Sequence, residues 1–168
     1  MENAFRRLTL LLTLLLALGS LAAAEEVPNP RQEMASAAEV EAALGFPVAA
    51  PENVEAEYVV INGTTGEATF RVDELECTLR AARTQDDISG LFMEMSDPVE
   101  EERAAGEDAV SVTYRATEEN GGYDVYTWFV DDVQYCLVLH GEASAMIAGK
   151  IVDGVLAACA TAQRLGLV

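Results

Sequence analysis

Residues 123–140 read YDVYTWFVDDVQYCLVLH. Two runs rich in aromatic and β-branched residues flank Asp131-Asp132, a pair suited to a two-residue turn. The stretch therefore predicts an antiparallel hairpin over 123–130 and 133–139. Each strand is apolar on both faces. Tyr126, Trp128 and Val130 alternate with Val125 and Phe129, and Tyr135, Leu137 and Leu139 alternate with Cys136 and Val138. A strand facing water on one side shows clean apolar/polar alternation, and these do not. Two explanations fit: a central hairpin covered on both sides, or one apolar face (Val125, Phe129, Cys136 and Val138) left open for a partner.

Working outward, AVSVTYRA (109–116) followed by Asn120-Gly121-Gly122 predicts a further strand and turn before this hairpin. EYVVIN (57–62) and EATFRV (67–72) flank the glycine-containing turn 62–66, and Asp73-Glu74 leads into a strand over 75–82. Residues 84–108 break the pattern with Asp86-Asp87, Gly90, Pro98, Glu100-Glu101-Glu102 and Gly106. They predict a long acidic connection with one irregular strand near 93–103. Ser36-Ala37-Ala38-Glu39 has the spacing of a capping box, and Gly45-Phe46-Pro47 that of a left-handed stop, so a short helix is predicted between them. From Ala143 to about Cys159, Ile147, Ile151, Val155 and Cys159 recur every fourth residue as a helical stripe. Closely spaced strands without intervening helices argue against a parallel sheet. The expected fold is α+β: an antiparallel sheet of about six meander strands, with a short N-terminal and a C-terminal helix packed on it.

The N-terminus reads as an address. Arg6 and Arg7 precede an apolar run over 8–21, and Ala22-Ala23-Ala24 offers a signal-peptidase site before Glu25-Glu26. The run is short for a bilayer crossing, which takes about 20 residues, and no cysteine near its end could carry a lipid. Residues 1–24 are thus expected to be a cleaved signal, 25–35 a polar leader with Pro28 and Pro30, and 36–168 one domain. No second membrane-length segment and no stable membrane insertion after cleavage are expected. The 168 residues carry 29 acids and 10 bases. Cleavage would remove Glu2, Arg6 and Arg7 and leave a charge of -20, with Lys150 the only lysine. Such a surface repels nucleic acid and anionic lipid, and favours cationic ligands or a protein partner.

Three segments in one order carry a family resemblance: AALGFPVAAPE (Ala42–Glu52), DISG (Asp87–Gly90) and YTW (Tyr126–Trp128). With them the chain, over roughly residues 29–158, resembles a domain-of-unknown-function family of extracytoplasmic proteins of Gram-positive bacteria. That family occurs as secreted or lipoprotein modules and in anti-sigma-factor-like and sporulation-associated proteins. The resemblance implies a secreted or cell-envelope location and supplies no catalytic residues.

Candidate chemistry is sparse. Cys77, Cys136, Cys159 and His140 invite a Cys3His zinc site, but Cys136 and His140 stand about 13 Å apart along a regular strand. Zinc ligands all lie within about 2.3 Å of the metal. His140 is the only possible histidine base, and a Ser or Cys nucleophile would have to reach it through folding. The many acids make any carboxylate pair uninformative for hydrolysis. Asp97, Glu100, Glu101, Glu107 and Asp108 lack EF-hand spacing and suit weak calcium binding or a solvated loop. Strand parity puts Cys77 with Leu75 and Leu79, and Cys159 continues the helical stripe, so Cys77–Cys159 is the expected pairing if a disulfide forms. Three buried free thiols are the alternative. No catalytic residue, cofactor or metal site is assigned. A non-enzymatic extracytoplasmic module that binds a partner or senses the envelope is expected, with a small secreted carboxylate-dependent hydrolase as the alternative.

Overall fold

The computed structural model describes residues 30–117, 122–141 and 143–165. The expected signal peptide, residues 25–29 of the leader and most of the Asn120-Gly121-Gly122 turn lie outside the described residues. Eight strands form one antiparallel sheet: β1 (Arg31–Met34), β2 (Ala56–Ile61), β3 (Thr65–Val72), β4 (Leu75–Ala82), β5 (Val99–Ala105), β6 (Asp108–Ala116), β7 (Tyr123–Val130) and β8 (Val133–His140). Among the described residues two helices, α1 (Ala37–Leu44) and α2 (Ala145–Leu165), complete the α+β fold.

The strand order is β1-β2-β3-β4-β8-β7-β6-β5. The expected six-strand meander is thus corrected to two four-strand meanders that meet where β4 pairs with β8. This junction explains the irregular stretch that breaks the pattern between them. The chain leaves β4 in the middle of the sheet and must reach β5 at its far edge, roughly 19 Å away at ~4.8 Å per strand. Strand β5, expected near 93–103, forms at 99–105. Strand β1 was missed because it falls inside the polar leader: an edge strand tolerates charge, and Arg31 and Glu33 pair with Ile61 and Val59 of β2.

Local signals place α1. Ser36 Oγ accepts the Glu39 amide at 3.3 Å, Glu39 Oε2 accepts the Ala35 amide at 2.8 Å, and Gly45 closes the helix at φ 75° with its amide on Glu41 O. Its last carbonyls accept from Arg83, Leu44 O at 3.0 Å and Gly45 O at 3.4 Å, and the Arg83 guanidinium also lies over the Phe46 ring. Phe46, Pro47, Val48 and Ala50 are then buried, and Pro47 O accepts the Tyr135 hydroxyl at 3.1 Å.

Helix α2 runs longer than its apolar pattern predicts. Its buried stripe is Ala148, Ile151, Val152, Val155, Leu156 and Cys159, whereas Ile147 lies on the exposed shoulder. Ala145–Ala162 is also long and apolar enough to cross a membrane by length and composition. That corrects the expectation that no second such segment exists, although here its apolar stripe is buried in the core of the fold. One face of the sheet (the helix face) carries the main core: Cys77, Leu79, Ala81, Tyr126, Trp128, Tyr135, Leu137 and Leu139, with Val40, Val48 and the α2 stripe. Gly66 lets α1 approach, since a Cβ there would stand 2.6 Å from Val48 Cγ2 and 2.9 Å from Val40 Cγ1.

Candidate functional site

The other face of the sheet is roofed by the 83–98 loop. Parity alone dictates its residues: Glu67 from β3, Thr78 and Arg80 from β4, Gln134, Cys136, Val138 and His140 from β8, Val125 and Thr127 from β7, Thr113 and Arg115 from β6. Val125, Cys136 and Val138 form a second, smaller core beneath Ile88, Leu91, Met95 and Tyr123 of the loop and strand end. Three of the four residues of the expected partner face are therefore covered, and Phe129 alone stays exposed, at 40%. The loop turns that face from a flat apolar surface into a cavity.

An arginine holds the loop down. Arg80 Nε donates to Glu67 Oε2 at 2.7 Å, while its Nη1 donates to Ile88 O at 3.2 Å and Ser89 O at 2.6 Å. Arg31 Nη2 completes the triad on Glu67 Oε1 at 2.6 Å. The Glu67 side chain is only 5% exposed. Burial by itself pushes its carboxyl up, but hydrogen bonds and charges from Arg80 and Arg31 together outweigh burial and hold it below the ordinary value of 4.5. The DISG segment supplies the matching loop shape. Asp87 Oδ1 accepts the Ser89 amide at 2.8 Å, Asp87 Oδ2 accepts the Ser89 hydroxyl at 3.1 Å, and Gly90 adopts φ 72°. A Cβ on Gly90 would collide with Arg80 Nη1. At its far end the loop is stitched to β6: Ser96 and Ala116 exchange bonds of 2.8 and 3.0 Å, and Met95 bridges to Thr117.

Beneath this roof lies a cavity of about 330 Å³. Gln85, Asp87, Ser89 and Met95 line it from the loop, and Thr113, Arg115, Val125, Thr127 and Gln134 from the sheet. Gln134 is 7% exposed, and its Oε1 is fully buried with no hydrogen-bond partner among the described residues. A buried acceptor without a donor costs about 1–3 kcal/mol, so a native fold keeps few of them. Arg115 is exposed and forms no ion pair among the described residues. The site thus offers two hydroxyls, Thr113 and Thr127, and at its rim a cation that forms no ion pair among the described residues. Among the described residues Asp87 is the only acid lining this cavity, and Ser89 engages both of its oxygens.

The remaining sequence candidates do not converge. Cys136 sits under the loop, while Cys77 and Cys159 belong to the main core. All three thiols are free, and burial pushes each up to about 12. Cys77 Sγ donates to Leu75 O at 3.7 Å and Cys159 Sγ to Ala49 O at 3.9 Å, so the expected Cys77–Cys159 link is not formed. His140 Nε2 meets Thr78 Oγ1 at 3.0 Å, and its Nδ1 lies 3.9 Å from Glu76 Oε1. Neither Thr78 nor His140 lines any of the cavities described here, including the second one below. Of the acids considered for calcium, Glu100 and Glu101 point to opposite faces of β5, and Arg103 Nε holds Glu101 at 2.8 Å. Among the described residues no group of three His, Cys, Asp or Glu converges as metal ligands would.

The Glu67–Arg80 pair is legible in the sequence. With the Asp73-Glu74 turn fixing the register, the two residues lie directly opposite each other in β3 and β4. The unpartnered Gln134 oxygen had no sequence signal, because its isolation depends on a loop that arrives from 36 or more positions away. Comparison of the chain with models of protein families, with curated proteins and with solved structures finds no match in any of the three.

Proposed function

We propose that the chain is a non-enzymatic, extracytoplasmic binding module of the bacterial cell envelope, and that it binds through the cavity beneath the 83–98 loop. One observation carries the binding reading: a cavity of about 330 Å³ between loop and sheet, with two threonine hydroxyls in its lining and the Arg115 guanidinium, in no ion pair among the described residues, at its rim. The occupant is a small polar molecule or side chain that hydrogen-bonds Thr113 or Thr127 and presents an acceptor or anionic group to Arg115. The Arg6-Arg7, apolar run and Ala22-x-Ala24 pattern supports export, and the resemblance of AALGFPVAAPE, DISG and YTW to extracytoplasmic domains supports the location.

Replacement of Gln134 by leucine, similar in volume, tests whether its buried oxygen lacks a donor in the folded protein. Removing an unsatisfied acceptor should raise stability by about 1 kcal/mol, seen as a rise of roughly 3–5 °C in melting temperature. A fall would mean that the amide is hydrogen-bonded in the folded protein. Export has its own test. Intact-mass spectrometry of material recovered outside the cytoplasm should place Glu25 at the N-terminus, and a retained Met1 in membrane fractions would make residues 1–24 an anchor.

A further inference from the structure

A second cavity, of about 430 Å³, opens on the helix face where the start of α2 meets β5, β6 and β7. Its floor is aromatic. Tyr114 and Tyr126 stand opposite each other in the β6–β7 register, with ring centroids 5.1 Å apart and planes tilted by 34°. Two carboxylates line the same space, Glu101 and Asp124. Asp124 shares parity with Tyr126 and Trp128, so the strand turns an acid toward the core side instead of to water. There its Oδ1 accepts the Tyr114 hydroxyl at 2.9 Å. Glu101 accepts from Arg103 Nε at 2.8 Å, and Arg103 Nη1 reaches Asp153 at 2.9 Å. Two carboxylates, Glu101 and Asp153, thus hold one guanidinium, and the cavity lining carries two acids, Glu101 and Asp124, against the single base Arg103.

Tyr126 is 6% exposed, lines the cavity, and its hydroxyl has no hydrogen-bond partner among the described residues. Burial, then the hydrogen bond to Asp124, pushes Tyr114 up to about 12, and burial, then the Asp124 charge, pushes Tyr126 up as well, so both rings stay neutral phenols. Neutral phenol faces next to carboxylates form the standard environment for an ammonium group, which gains from the ring quadrupole and from the carboxylate together. A sugar-cleaving role fits less well, because Glu101 is committed to Arg103 and Asp124 to Tyr114, leaving neither carboxyl to protonate a leaving group. We propose that this cavity binds a small organic ammonium group, with Tyr114 and Tyr126 as its aromatic wall and Asp124 as its counter-ion. The ammonium can belong to a free amine or to a lysine side chain of another protein. The site is separate from the loop-roofed cavity and does not rest on that reading.

The test is a nuclear magnetic resonance titration of the ¹⁵N-labelled full chain with choline, butylammonium, the amide of N-acetyl-lysine, and the neutral carbon isostere of choline. At least one of the three cations should shift the Tyr114, Tyr126 and Ala148 signals saturably, bind at least about tenfold more tightly than the neutral isostere, and weaken as salt rises. Asp124→Asn should cost about tenfold in affinity, whereas Tyr126→Phe, which keeps the ring, should change it by no more than about threefold. Binding of the lysine amide as tight as that of butylammonium would identify a protein lysine as the occupant, and binding of free amines alone a small molecule; either supports the site. Equal binding of the neutral isostere, shifts that map elsewhere, or no saturable shift with any of the three cations would overturn it. The Gln134 signals report the other cavity in the same spectra, so the two readings stand or fall separately.

Discussion

Arg80→Met should lower the melting temperature by about 10 °C, the largest loss expected of any single charge on this protein. The substitution leaves buried Glu67 with Arg31 alone and strips the Ile88 and Ser89 carbonyls of their donor. Removing one partner of a buried charge network costs about 3–5 kcal/mol, because the remaining charge and the freed carbonyls stay desolvated. Arg71→Met is the control. Its 3.4 Å pair with Glu76 is largely exposed, and such pairs contribute less than about 1 kcal/mol. The pH dependence follows from Glu67. Its folded pKa lies below the ordinary 4.5, so its stabilising contribution is present above that value and is lost as pH falls through the folded one. The stability gap between the wild type and Glu67→Gln should therefore be full at neutral pH and shrink below about pH 4, as seen in thermal melts across that range. A gap that grows on acidification would show that the arginines do not hold the carboxyl down.

Trp128→Ala should cost about 3–5 kcal/mol, enough to abolish a cooperative melt above room temperature in a marginal domain. Trp128 is 1% exposed and stacks on Tyr135 with centroids 5.5 Å apart and planes 4° from parallel. It thereby joins β7 to β8 at the centre of the sheet. Its Nε1, however, is buried with no partner among the described residues. Trp128→Phe keeps most of the stack and removes that unpaired donor, so its cost should stay within about 2 kcal/mol. Chemical denaturation of both variants separates the two contributions. Equal losses would mean that the indole N–H is satisfied and that ring shape is not what matters.

Much of this architecture is written locally. The capping box at Ser36, the left-handed Gly45 and the Asp131-Asp132 turn each involve residues within a few positions, so sequence pattern reveals them. The junction of β4 with β8 does not, because it joins residues 76–82 to 134–140 through contacts that no local signal encodes. The crossing loop and the cover over Val125, Cys136 and Val138 depend on that junction and are hidden with it, whereas the eighth strand is masked locally, because an edge strand tolerates the charges of the polar leader. The face thought open to a partner had the right residues and the wrong surroundings. Asp124 is a different case. Its parity with Tyr126 and Trp128 placed an acid among core-side aromatics in plain view, and the second cavity could have been anticipated from it.

The binding reading depends above all on the 83–98 loop being a fixed roof, since a mobile loop would leave an open sheet face and no cavity. Backbone ¹⁵N relaxation of the wild type and of Arg80→Met measures this directly. Order parameters over residues 86–96 should be near 0.85 in the wild type, as in rigid backbone, and drop below about 0.6 when the arginine is gone. Values below about 0.6 in the wild type itself would contradict the account.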